Sequence, residues 1–178
     1  MIVLEGPDNA GKSTLGKQLS ERFGVDVHHS SNPKMTYAEL RDKMREVIND
    51  PRRDAIYDRV PLISEGIYGT LLRGVNRFNC HEGSGLWQLF AAARPLIIYC
   101  RPNDSTLSVG LEFKPDETED HIKAVKEKHL HIAHAYDELM ASMAHQTGGD
   151  FIVVKYNWVL PGEYDRIFNR CIRYITGE

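Results

Sequence analysis

The chain has 178 residues, enough for one domain with a sizeable buried core and too few for two. Hydrophobic residues at 42% and charged residues at 26% exclude a fibrous or disordered chain, and a formal net charge of −3 gives no overall attraction to polyanions such as nucleic acid. Cys80, Cys100 and Cys171 are odd in number and form no C-x-x-C pair, which argues for reduced thiols rather than a disulfide frame or a zinc site. No basic leader precedes Ile2, and the most apolar later stretch, 89–100, is broken by Arg94 and Pro95. The expectation is a cytoplasmic protein without a signal peptide or membrane span.

In chain order, β-rich runs at 2–5, 25–28, 55–58, 96–101 and 151–156 alternate with segments of helical period. Leu15, Leu19 and Phe23 mark a first amphipathic helix, and Tyr37, Leu40, Met44, Val47 and Ile48 a second. A third helix is predicted to start near Pro61 and a fourth near Gly85. Ile122, Val125, His129, Ile132, Tyr136, Leu139 and Met143 trace one face of a long helix, and a last helix follows Pro161. Residues 102–119 carry Gly110 and Pro115 and show neither period, so they read as a mobile loop. The alternation predicts an α/β protein with a mostly parallel sheet.

The first strand runs into Gly6-Pro7-Asp8-Asn9-Ala10-Gly11-Lys12-Ser13-Thr14, which fits G-x-x-x-x-G-K-[ST] and opens the first helix. Backbone N–H groups of such a loop, with the positive end of the helix dipole, make a concave anion site for nucleotide phosphates. Gly6, Asn9, Ala10, Gly11, Lys12, Ser13 and Thr14 are therefore the candidate ATP-binding residues. Lys12, expected to face solvent, reaches the β- and γ-phosphates, and the Ser13 hydroxyl ligates Mg²⁺. Asn9 suits a left-handed backbone.

A second feature is the stretch from Ala55 to Gly74, where Asp58 and Arg59 follow a buried strand. Parallel sheets deliver ligand-binding residues at strand carboxyl ends, which puts both beside the phosphate loop. Asp58 can hold metal-bound water or take a proton, and Arg59 can bridge donor and acceptor oxygens. Glu5, at the end of the first strand, reads either as a catalytic base or as the carboxylate that orients Arg59.

The run L-E-G-P-D-N-A-G-K-S-T, followed by Y-D-R-V-P-L-I-S-E-G-I-Y-G-T-L-L-R-G, resembles the thymidylate kinase family and, more distantly, the deoxynucleoside kinases. The resemblance covers the first half of the chain well and the second half only in layout. It implies a three-layer P-loop kinase fold over 1–178, with a five-stranded parallel sheet flanked by helices and a lid at 102–119. It also implies an ATP- and Mg²⁺-dependent transfer to a thymidine-like deoxynucleoside monophosphate, in a homodimer. Asp8 falls where the family contacts the acceptor sugar, and Arg59, Ser64, Tyr68 and Arg73 match its acceptor stretch. That stretch is one residue longer here between Arg59 and Ser64, and Gly69 replaces a usual glutamine. The lid holds Lys114 and no arginine, so Arg101 or a partner group is expected to supply the missing charge.

Trp87 and Phe90 share a helical face that either stacks on the acceptor base or packs in the core. His28 and His29 close the second strand without a metal-ligand set, and His129 reads as part of the core stripe of the long helix. Two other functions stand beside the first. A phage-type relative in a host cytoplasm would phosphorylate the hydroxyl of 5-hydroxymethyluracil in DNA, a DNA modification. A nucleotide-binding switch would lack catalysis, although no N-K-x-D motif reads guanine here.

Overall fold

The computed structural model describes residues 1–30, 34–79, 81–109, 119–145 and 151–178, without the side chains of residues 81, 82 and 121. Five strands, β1 (Ile2–Glu5), β2 (Val27–His29), β3 (Ile56–Asp58), β4 (Leu96–Cys100) and β5 (Ile152–Tyr156), form one all-parallel sheet in the order β2-β3-β1-β4-β5. They fall within a residue or two of the predicted runs. The central strands read as unbroken apolar segments because both faces of the sheet are covered.

Alternate residues serve opposite faces. Val3, Tyr57, Ile97 and Tyr99 point into a core shared with α2 (Tyr37–Asn49), α5 (His81–Ala92) and α7 (Glu119–His145). Ile2, Leu4, Ile56, Leu96 and Ile98 point into a second core under α1 (Lys12–Phe23) and α8 (Glu163–Thr176). Three layers result, an α/β architecture of the kind expected. The start of α2 is set by a capping box in which Thr36 and Glu39 satisfy each other's backbone N–H groups.

After β3 the chain enters α3 (Pro61–Ser64), a π-helical turn (Glu65–Gly69) and α4 (Thr70–Arg73), a continuous helical stretch. α5 begins at His81, earlier than Gly85. The stretch after β4 differs from the expected loop: Asn103 caps α6 (Asp104–Ser108) by accepting from the Thr106 N–H at 2.8 Å. The rest of the predicted lid, 110–118 with Lys114, lies outside the described residues, as does Cys80. No helix among the described residues is long and apolar enough to cross a membrane.

Candidate active site

The loop between β1 and α1 turns on two glycines whose conformations other residues rarely adopt. Gly6 has φ +142°, and a Cβ there would lie 2.3 Å from the Cys100 carbonyl oxygen. Gly11 has φ +84° and precedes α1 without any side-chain cap; no acidic residue occupies the first turn. The leading N–H groups of a twelve-residue helix therefore face the loop with no carboxylate competing for them, the arrangement that favours a bound anion. Asn9 takes φ +60°, as its residue type allows, and its amide donates to the Val109 carbonyl at 2.7 Å, tying the loop to the end of α6. Ala10 is buried, while Ser13 and Thr14 are exposed on the first turn of α1.

Lys12 departs from expectation. It is buried, not solvent-facing, because as the first residue of α1 its side chain curls inside the loop and its ammonium donates to the Pro7 carbonyl. Burial, then the Arg59 charge, push that ammonium down to about 8, against the pull of Asp8 and Asp58.

β3 lies beside β1 with Leu4 opposite Asp58, so the residues that follow both strands meet. The Arg59 N–H donates to the Leu4 carbonyl at 2.9 Å, and Arg59 itself sits at φ +67°. This left-handed turn carries its guanidinium back over the loop. There it donates to Asp8 Oδ1 at 2.6 Å and the Tyr68 hydroxyl at 2.9 Å, with its centre 4.6 Å from the Tyr68 ring. Tyr68 donates in turn to Asp8 Oδ2 at 3.0 Å. Burial alone would raise the Asp8 carboxyl, but the Arg59 and Lys12 charges outweigh it and hold the group below its ordinary range. Two buried polar atoms of this cluster, Asp58 Oδ1 and Arg59 Nε, have no partner among the described residues. The other Asp58 oxygen lies 3.4 Å from His29 Nδ1, and His29 lines a cavity of about 550 Å³ together with His28, Ser30, Lys43 and Tyr57.

Glu5 is wholly enclosed. Its oxygens accept from the Val60 N–H at 2.7 Å and the Tyr136 hydroxyl at 3.1 Å, and burial pushes its carboxyl up to about 7 in spite of those bonds and the Arg59 charge. It holds the turn that carries Arg59 through Val60, not through a bond to the guanidinium. This enclosure and the Val60 bond suit the orienting reading; the catalytic-base reading requires the carboxylate to become reachable from the substrate.

Ser64 is buried in α3. Arg73 and Arg77 converge on the buried Glu65, Arg77 at 2.6 and 2.7 Å, and Arg77 also donates to the Met35 carbonyl. At Gly69 a Cβ would stand 2.7 Å from the Val75 carbonyl oxygen, which explains why no larger residue occupies the place of the expected glutamine. Trp87 is drawn away from the group: it packs edge-on against Phe90 and Phe151, each 6.3 Å between centroids, beside the amino end of β5 and across the sheet from the phosphate loop. Arg101 is likewise committed elsewhere, to Asp137 at 2.9 Å and Asp104 at 2.7 Å. His129 is half-buried and bonds Ser108 Oγ at 3.1 Å rather than packing in the core stripe.

Like Arg77, one further residue has no counterpart in the sequence-based set. Trp158, after β5, lies so close that a Cβ on Gly11 would meet its ring at 2.7 Å, yet it is 48% exposed, with Val159 and Leu160 exposed beside it. An aromatic in a short loop immediately after a strand was the available signal. For a divalent cation the donors at hand are hard oxygens, the Ser13 hydroxyl and the partnerless Asp58 oxygen, which suits Mg²⁺ completed by substrate phosphates and water. No cluster of three or more His, Cys, Asp or Glu among the described residues could hold a metal by itself.

No protein-family model matches the sequence, and no curated protein matches it. Solved structures do. The YorR protein of Bacillus subtilis in complex with phosphorylated GDP aligns with TM-score 0.67 at 18% identity, covering 98% of this chain and 95% of that one. Deoxyadenosine kinase from M. mycoides aligns with bound dATP at TM-score 0.60 and 16% identity, covering 95% of this chain and 97% of that one. With bound dCTP the values are 0.58 and 16%, covering 96% and 98%. This chain shares their fold over nearly its whole length.

Proposed function

We propose that this chain is an ATP-dependent nucleotide kinase that transfers the terminal phosphoryl group of ATP to a thymidine-like deoxynucleoside monophosphate. The observation that carries the proposal is the joining of an uncapped phosphate loop to Arg59, whose guanidinium is held over that loop by Asp8 and Tyr68. Fold likeness to deoxyadenosine kinase supports the reaction class. The groups present support this choice of acceptor. A hydroxyl acceptor needs a placed base; Glu5 is enclosed, and Asp58 is assigned to the metal in this reading. A monophosphate brings its own negative oxygens and needs a cation, for which Arg59 over the loop is the first candidate and Arg73, on exchanging Glu65 for the phosphate, a second.

In this reading the donor triphosphate lies on the N–H groups of residues 9–14 with its base against Trp158. Lys12, mostly charged at neutral pH with a pKa of about 8, leaves the Pro7 carbonyl for the β- and γ-phosphate oxygens. Ser13 and Asp58 would hold Mg²⁺, which would supply positive charge to offset that of the phosphates. Asp8 positions the acceptor sugar, and Ser64, Tyr68 and Arg73 line its path. An acceptor phosphate oxygen attacks the γ-phosphorus as the bond to the β-phosphate oxygen breaks, giving a deoxynucleoside diphosphate and ADP. Arg59 spans both groups, so its contribution grows as charge spreads in the transition state. The resemblance to thymidylate kinases suggests a cytoplasmic homodimer, which light scattering after size exclusion would test.

The experiment is an acceptor screen with γ-labelled ATP against nucleosides, deoxynucleoside monophosphates and hydroxymethyluracil-containing DNA. Label in thymidine diphosphate is the expected result. Label in the modified DNA alone, or ATP binding with no transfer to any acceptor, would overturn it.

A further inference from the structure

At the end of the sheet opposite the phosphate loop, the residues that precede β1, β3 and β4 meet the end of α8 around a cavity of about 610 Å³. Five arginines line it: Arg52, which is paired with Asp50, and four others, Arg53 before β3, Arg94 before β4, and Arg170 with Arg173 on α8. None of the four has a carboxylate within ion-pair distance among the described residues, whereas Arg59, Arg73, Arg77, Arg101 and Arg166 each have one. Of the two acids in the lining, Asp50 and Glu178, Asp50 is already held by Arg52 at 2.7 Å and by the Tyr57 hydroxyl at 2.6 Å.

The cluster is assembled, not scattered. The Tyr174 hydroxyl donates to the Arg94 carbonyl at 3.1 Å, and Arg53 donates to the Tyr174 carbonyl at 3.3 Å with its guanidinium 6.0 Å from the Tyr174 ring. Arg94 holds φ +48°, a conformation a non-glycine residue adopts at a cost. In a sheet of this kind the helix carboxyl ends gather here, and a cation near each is expected from their dipoles. Dipole compensation alone, however, does not call for a cavity with arginines of three segments in its lining.

We propose that this cavity is a second anion site, separate from the phosphate loop, which binds the polyphosphate chain of a free nucleotide. Four guanidiniums match a tri- or tetra-anionic chain and exceed what a single phosphate needs. Ile48, Ala92 and Ala93 in the wall offer apolar contact for an attached nucleoside, in a volume ordinary for small-ligand sites. A free ligand fits better than a nucleic-acid strand because the arginines ring a concavity that also includes Asp50 and Glu178, and a duplex or strand needs an extended basic track.

Calorimetric titration of the full chain with inorganic tripolyphosphate, with dATP and with an oligothymidylate tests this. Two classes of site are expected for tripolyphosphate and dATP. Arg170→Gln with Arg173→Gln, both exposed on α8, should weaken one class about a hundredfold, as loss of two charge-assisted contacts requires, and spare the other. Arg22→Gln, outside the cavity, should change neither. A single class that the double variant leaves unchanged overturns the proposal, whereas a single class that the double variant removes overturns the phosphate-loop reading instead. The proposal is also overturned by a double variant that binds as before or only loses stability, and by an oligothymidylate that binds through these arginines while tripolyphosphate does not.

Discussion

Replacing Glu5 by Gln separates its structural role from a catalytic one. In the unfolded chain the carboxyl titrates near 4.5, and in the fold near 7. Below pH 4.5 both states carry the proton and the group adds no pH dependence. Between 4.5 and 7 the unfolded chain releases the proton while the folded chain keeps it, so stability falls as pH rises. At about 1.4 kcal/mol per pH unit, the span from 4.5 to about 7 amounts to about 3 kcal/mol, lost in full above pH 7. The Gln carbonyl still accepts from Val60, and whatever the amide costs against Tyr136 is the same at every pH. Urea unfolding of both proteins between pH 4.5 and 8 should therefore show the variant gaining about 3 kcal/mol relative to the native chain, roughly 6–12 °C in melting temperature for a chain of this size. Turnover at pH 8 should fall by no more than about tenfold, against the 10²–10⁴ that removal of a general base produces. A stability difference that stays flat with pH would refute the enclosed carboxyl, and a large loss of turnover would restore Glu5 as a base.

Lys12→Met keeps the buried stem and removes an ammonium that the fold disfavours; turnover should drop by at least about 10² with the melting temperature at pH 7 unchanged or raised, read by coupled ADP release and calorimetry. Asp8→Ala leaves the Arg59 guanidinium with Tyr68 and the Gly6 carbonyl as its remaining bonds; a loss of about 2 kcal/mol in urea unfolding and a raised KM for the acceptor are expected. Trp158→Ala should raise the KM for ATP by about tenfold while leaving the acceptor KM within twofold, as loss of one aromatic platform for a base predicts.

Much of the fold was legible because the strands are buried on both faces and so read as short unbroken apolar runs. α6 was not, since five residues are too few to show a period and only Asn103 announced it. At the site, the phosphate loop could be read because its glycines meet a backbone demand that few residues satisfy. The positions of Asp58 and Arg59 followed from where parallel strands end. The sequence did not disclose the left-handed turn at Arg59, the burial of Lys12 or the enclosure of Glu5, because each depends on contacts between segments far apart in the chain. Trp87 was left between two readings for a related reason: helical spacing placed it on a face with Phe90 but could not say toward which end of the sheet that face looks. Arg77 and Trp158 escaped because a lone arginine and a lone loop aromatic carry no pattern until the fold brings them to Glu65 and Gly11.

The most direct test of phosphoryl transfer at this loop is a rapid-quench single turnover with γ-labelled ATP, Mg²⁺, thymidine monophosphate and enzyme in excess. The account predicts that label appears in thymidine diphosphate in step with ADP, without a lag and without free phosphate. Label that stays in ATP, or appears only as inorganic phosphate, would contradict it.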